Sequence, residues 1–100
     1  MSKPGYVYLM ANRKNGTLYI GVTSDLPRRV WQHREGRGSI FVRQWGCTML
    51  VWYDEFPTIT EALVHEKRMK KWARRMKIEE IEKMNQDWRD LWHDLGGWTD

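Results

Sequence analysis

A single cysteine, Cys47, occurs in the 100 residues, so no internal disulfide can form and a cysteine-rich zinc motif is excluded. Three histidines scattered at 33, 65 and 93 do not replace one. Long apolar runs are missing too. The longest extends from Met49 to Tyr53, far short of the ~20 residues of a membrane-spanning helix, and no membrane association is expected. The opening Met1-Ser2-Lys3-Pro4-Gly5 lacks the apolar stretch and small-residue cleavage site of a secretory signal, so the expected location is the cytoplasm. Acidic residues are scarce in the first half: residues 1–50 hold eight basic groups and only two acidic ones.

What is present is core material. Hydrophobic residues make up 41% and aromatics 13%, which argues against disorder and for one compact domain over residues 1–100, its core at about 5–92. Charge is polarised along the chain. Residues 78–100 carry seven acidic groups against two basic ones, and Lys67 to Lys77 carries seven basic residues in eleven. Basic surface of that density attracts a polyanion, although the run taken alone also fits a solvated helix face.

Tyr6 to Met10 and Thr17 to Thr23 are β-favouring and flank the turn sequence Asn12 to Gly16, which predicts a hairpin. A two-residue loop would pair Tyr8 with Thr23, and a four-residue loop would pair Tyr8 with Tyr19. Either even loop puts both tyrosines on one face. Val7, Leu9, Leu18, Ile20 and Val22 then form the core face, and the tyrosine face is left with Gly21, Thr23 and open space. Ser24-Asp25 caps a short helix that tolerates Pro27 and runs to about His33; a glycine-rich loop, 35–39, follows. Residues 48–56 read as a third strand closed by Pro57. Thr58 and Glu61 form a capping box for a long helix to about Lys77, a second helix covers 77–84, and Trp88, Leu91, Trp92 and Leu95 repeat at helical spacing. The order β-β-α-β-α-α describes an α+β fold, a small, mostly antiparallel three-stranded sheet flanked by helices.

On the long helix Glu66 falls within the stripe of Ala62, Leu63, Met69 and Ala73. A carboxylate there needs a metal, a cation or strong donors; equally, it could sit at the rim, paired with Lys70 at four-residue spacing. Arg29 and His33 share a face of the short helix, and Arg28 and Arg29 stand at its start, a geometry that suits a bound anion. Tyr8 and Tyr19 lie beside them with Gly21.

The string Tyr6-Val7-Tyr8, then Leu18-Tyr19-Ile20-Gly21, then Thr23 to His33, closely resembles the GIY-YIG nuclease family, in its small stand-alone bacterial form. Glu61 to Lys67 resembles that family's glutamate helix, and Lys70-Lys71-Trp72 the basic stretch after it. The first motif departs from Gly-Ile-Tyr but keeps its tyrosine. The resemblance implies catalytic roles for Tyr8, Tyr19, Arg29, His33 and Glu66. In it Tyr8 is the general base, Tyr19 positions water or phosphate, Arg29 stabilises phosphate charge, and His33 holds a tyrosine or assists proton transfer. Glu66 holds one Mg²⁺ or Mn²⁺. Nucleic acid would be bound at Gly21, where the missing side chain leaves room for its backbone, and by Arg28, Lys67, Lys70, Lys71 and Arg74. Asn85 is either the family's late asparagine or simply a helix end.

The implied function is a metal-dependent endonuclease that hydrolyses phosphodiester bonds, in DNA rather than RNA, in repair or recombination. The rival is a non-catalytic nucleic-acid-binding module that keeps the fold. A third reading, a protein-interaction domain built on Trp88, Trp92 and Trp98, is weaker because helical spacing in a small domain more often means core.

Overall fold

The computed structural model describes residues 3–96. Strands β1 (Gly5–Ala11) and β2 (Leu18–Thr23) form the hairpin, and β3 (Met49–Phe56) pairs on the other side of β1. Both pairings are antiparallel and the order is β2-β1-β3. The hairpin register differs from both expected ones: Ala11 faces Leu18, Tyr8 faces Gly21 and Met10 faces Tyr19. Residues 12–17 form the loop. Asn12 accepts a hydrogen bond from the Thr17 amide through Oδ1 (2.9 Å), and Asn15 takes a positive φ of 57°. Because this loop also has an even count, the two tyrosines still share a face.

Helix α1 (Leu26–Arg34) is capped by Asp25, whose carboxylate accepts from the Arg28 amide, with Pro27 in the first turn. The predicted loop ends sooner than expected. A six-residue helix, α2 (Ile40–Trp45), follows Ser39, which caps it, and stops at Gly46 in the left-handed region. Thr58 caps α3 (Ile59–Lys70) by accepting from the Glu61 amide at 3.2 Å, while the Glu61 carboxylate meets the Thr58 hydroxyl at 3.4 Å.

The single long helix to Lys77 is not formed. The chain breaks at 71–73, where the half-buried Trp72 packs against the core and its ring lies edge-on to His65, and α4 (Arg74–Met84) starts from there. Leu63 and Ala73, expected in the buried stripe, are exposed; Ala62, Glu66 and Met69 form it. The tail is a 3-10 turn (Leu91–Leu95), entered through Trp88 at a positive φ of 57°. It is not the helix that the spacing predicts.

Both faces of the sheet are covered. Val7, Leu9, Ala11, Val51 and Trp52 meet Ala62, Met69, Ile81 and Trp88 on one side, with Leu18, Ile20 and Val22 at its margin. On the other, Tyr8, Met10 and Leu50 meet Leu26, Val30, Val42, Leu91 and Trp92. The tyrosine face is therefore a second core and not the open space expected of it. Trp88 and Trp92 are buried within these cores; Trp98 lies outside the described residues.

A bulge shifts the β1–β3 register between Leu9 and Met10, so Val51 and Trp52 both point to the α3 side. The tail ties this irregularity down. Asn85 Nδ2 donates to the Val51 carbonyl (3.1 Å), and Asp90 Oδ1 accepts from the Leu50 amide while Oδ2 pairs with Arg34 at 2.6 Å. Among the described residues no helix is long and apolar enough to cross a membrane.

Candidate active site

The central strand places the Tyr8 ring under α1, where it is 1% exposed. Its hydroxyl lies 2.7 Å from Nε2 of the fully buried His33. Tyr19, diagonal to Tyr8 across the hairpin, brings its ring centroid 6.4 Å from that of Tyr8 and 5.3 Å from that of His33. Two glycines make the cluster possible. A Cβ at Gly21 would collide with the Tyr8 hydroxyl, and one at Gly38 with the His33 ring. The space at Gly21 is thus filled by Tyr8, not kept for the nucleic-acid backbone that the sequence resemblance assigned to it.

Arg29 is held in place from two sides. Its Nη1 donates to Gln32 Oε1 (3.1 Å) and its Nη2 to the Gly38 carbonyl (2.9 Å). Glu66 is only 7% exposed on α3, and Lys70 Nζ lies 2.9 Å from its carboxylate. Both sequence readings of Glu66 are realised, the ion pair and the buried acid. A pocket of about 390 Å³ runs along the outer edge of β2, lined by side chains from both faces of that strand. Tyr8, Tyr19, Gly21, Arg29, Glu66 and Lys70 border it, together with Phe41 of α2.

Burial raises the Tyr8 pKa well above that of an ordinary phenol, against the lowering pull of the Arg29 guanidinium. The sequence stage assumed an unperturbed tyrosine. The phenol is harder to ionise than that. His33 moves the other way, to about 4, because burial and then the Arg29 charge disfavour its cation. It is neutral at pH 7. Its Nδ1 is buried without a hydrogen-bond partner. The tautomer carrying the proton on Nε2 leaves Nδ1 only a lone pair, which costs less than a buried N–H without an acceptor. In that tautomer His33 donates to the Tyr8 oxygen, and the phenolic proton is turned toward the pocket.

Among the described residues no three His, Cys, Asp or Glu side chains gather as a metal cage. The pocket offers one carboxylate. That donor set does not suit zinc, which takes three or four protein ligands, but it fits a hard divalent ion that keeps most of its waters and binds phosphate.

Of the other sequence-predicted residues, Arg28, Lys67 and Lys71 are exposed and lie outside the pocket lining. Arg74 is engaged elsewhere, donating to the Asn15 and Gly16 carbonyls and so bracing the hairpin loop. Asn85 ends α4 and holds the tail through Val51 and Arg89, away from the pocket. Phe41 was missed at the sequence level; the signal was the Ser39 and Gly46 punctuation around it.

Residues 4–79 match the family model described as the GIY-YIG catalytic domain. The chain belongs to the GIY-YIG nuclease family. Among curated relatives of this GIY-YIG protein, a UPF0213 protein of Bacillus pumilus is 33% identical over 84 residues, covering 84% of this chain and 86% of that one. A UPF0213 protein of Oceanobacillus iheyensis is 31% identical, covering 87% and 100%. The solution NMR structure of a UPF0213 protein from Bacillus halodurans superposes with a TM-score of 0.54 at 31% identity, covering 88% of this chain and 93% of that one. Its fold and the present one agree. GIY-YIG nucleases typically use divalent metals.

Proposed function

We propose that this GIY-YIG protein is an endonuclease that hydrolyses phosphodiester bonds in DNA with Mg²⁺ or Mn²⁺, acting in repair or recombination in the cytoplasm, with residues 5–92 as its one nuclease domain. The observation that carries the reading is the convergence of two phenols, a guanidinium and one buried carboxylate on a single pocket.

Glu66 would hold the ion after Lys70 swings away, which its exposed position on the helix allows. Bound there, a hydrated divalent cation would take a phosphate oxygen as ligand and add the positive charge that lowers the pKa of the phenol. Arg29 is aimed by Gln32 and Gly38 and offers a planar fork of donors to the phosphate charge that builds during attack. Tyr8 takes the proton of the attacking water. Its oxyanion is stabilised by the His33 Nε2–H donor and by Arg29, while burial opposes it. His33 is a positioning residue here, and Tyr19 closes the side of the pocket where water and phosphate are aligned. The exposed Lys67 and Lys71 extend a basic approach for the polyanion.

The non-catalytic binding module remains the second reading, favoured by the Lys70 ammonium that occupies the one carboxylate. A panel of labelled duplex, branched and single-stranded DNA and RNA, incubated with Mg²⁺ or Mn²⁺, separates the two. Cutting that disappears in Glu66→Ala while low-salt binding persists supports the enzyme; intact nucleic acid with the wild type supports the binding module.

A further inference from the structure

Helix α2 buries only Val42 and leaves its large side chains in water: Ile40 is 86% exposed, Trp45 51% and Phe41 40%. Phe41 and Trp45, four residues apart, share one side of the helix with ring centroids 6.3 Å apart. The Phe41 ring is 5.8 Å from Tyr19 and tilted by 31°. Aromatic surface therefore continues from the pocket wall through Phe41 to Trp45. Its electrostatic setting is one-sided. Residues 36–53 contain no Asp or Glu, and Arg37 and Arg43 border a depression alongside the same helix with Gly36, Gly38 and Ser39.

Exposed rings with cations beside them and no acid nearby match the way proteins hold unpaired nucleotides, bases on the rings and phosphates on the cations. A second copy of this chain is a poorer occupant, since it would bring Arg37 and Arg43 of both copies together. Bases within a duplex stack on each other and offer no free face. We propose that an unpaired segment of a DNA strand leaves the pocket across α2, with bases stacked on Phe41 and Trp45 and phosphates near Arg37 and Arg43. This inference rests on the nuclease reading and narrows its substrate to DNA with a single-stranded segment next to the cut.

Fluorescence anisotropy in EDTA tests it, because nothing is cleaved there. Three labelled probes of equal length are compared: a single strand, the same strand carrying abasic sites, and a blunt duplex. The double variant Phe41→Ala/Trp45→Ala should weaken single-strand binding by ~10- to 100-fold. It should change binding of the other two probes about twofold or less and leave the salt dependence unchanged. Trp45→Phe should retain most of the affinity, and light scattering should give the same mass for all variants. Equal losses on all three probes, no loss on the single strand, or a dimer that the double variant dissociates would overturn the proposal. Ring-dependent binding by a wild type that cuts no substrate would support the stacking surface and overturn the nuclease reading alone.

Discussion

On the α3 side of the sheet, Val7 and Leu9 are buried against Ala62, Met69 and Ile81; on the α1 side, Tyr8 and His33 are buried just as completely, one residue further along the same strand. The first layer removes aliphatic surface from water and asks nothing of its neighbours beyond shape. The second buries a phenol and an imidazole, which require partners, shift in pKa and leave one nitrogen unpaired. Orphaned and pKa-shifted groups cluster where function is built, and here they border the pocket. One strand thus divides stability from chemistry by the alternation of its side chains.

The sharpest way to break this division is to mutate adjacent residues. Tyr8→Phe should reduce cleavage by roughly 10²–10⁴-fold, with a stability loss of about 1 kcal/mol from the His33 hydrogen bond. Leu9→Ala should cost about 2–5 kcal/mol in denaturant unfolding, while the fraction that stays folded cuts normally. Because burial raises the Tyr8 pKa, the wild-type rate should also climb with pH through neutrality.

His33 gives a pH signature of the chemical layer. Its folded pKa of about 4 lies below the unfolded value of ~6.5, so the unfolded chain binds more protons between them. Its contribution is complete above pH ~6.5 and is lost as pH falls toward 4. The amount is about 3 kcal/mol at most, at ~1.4 kcal/mol per pH unit. Urea unfolding across that window should show a shallower acid decline for His33→Gln than for the wild type.

Gly21→Ala places a methyl group against the Tyr8 hydroxyl. About 1–3 kcal/mol of stability should be lost, with a fall in cleavage larger than the stability change accounts for. Asn85→Ala tests the opposite assignment. Leaving the Val51 carbonyl without its donor should cost about 1–3 kcal/mol, and the cleavage rate of folded protein should not change.

How much of this was legible in the sequence depended on the kind of signal. The hairpin, the Asp25 and Thr58 caps and the shared tyrosine face follow from local rules, and the even loop count kept the face right although the register was neither of the two expected. Helix α2 escaped because only Val42 of its apolar residues is buried, so its pattern carries no core stripe. The break after Lys70 has no glycine or proline to announce it; packing of Trp72 imposes it. The tail was misread as helix because Trp88, Leu91 and Trp92 do face the cores, but Asn85 and Asp90 hold the backbone to β3 in another geometry. For Glu66, periodicity placed the acid correctly, while its meeting with the tyrosines across the β2 edge is a tertiary fact.

Whether the phenol and the acid act as one unit is best measured by a double-mutant cycle on single-turnover DNA cleavage with Mg²⁺, comparing Tyr8→Phe, Glu66→Ala and the two combined. If they serve a single transition state in one pocket, the double variant should be about as slow as the slower single variant. Losses that multiply, or a Glu66→Ala protein that cuts at the wild-type rate, would contradict a shared catalytic pocket.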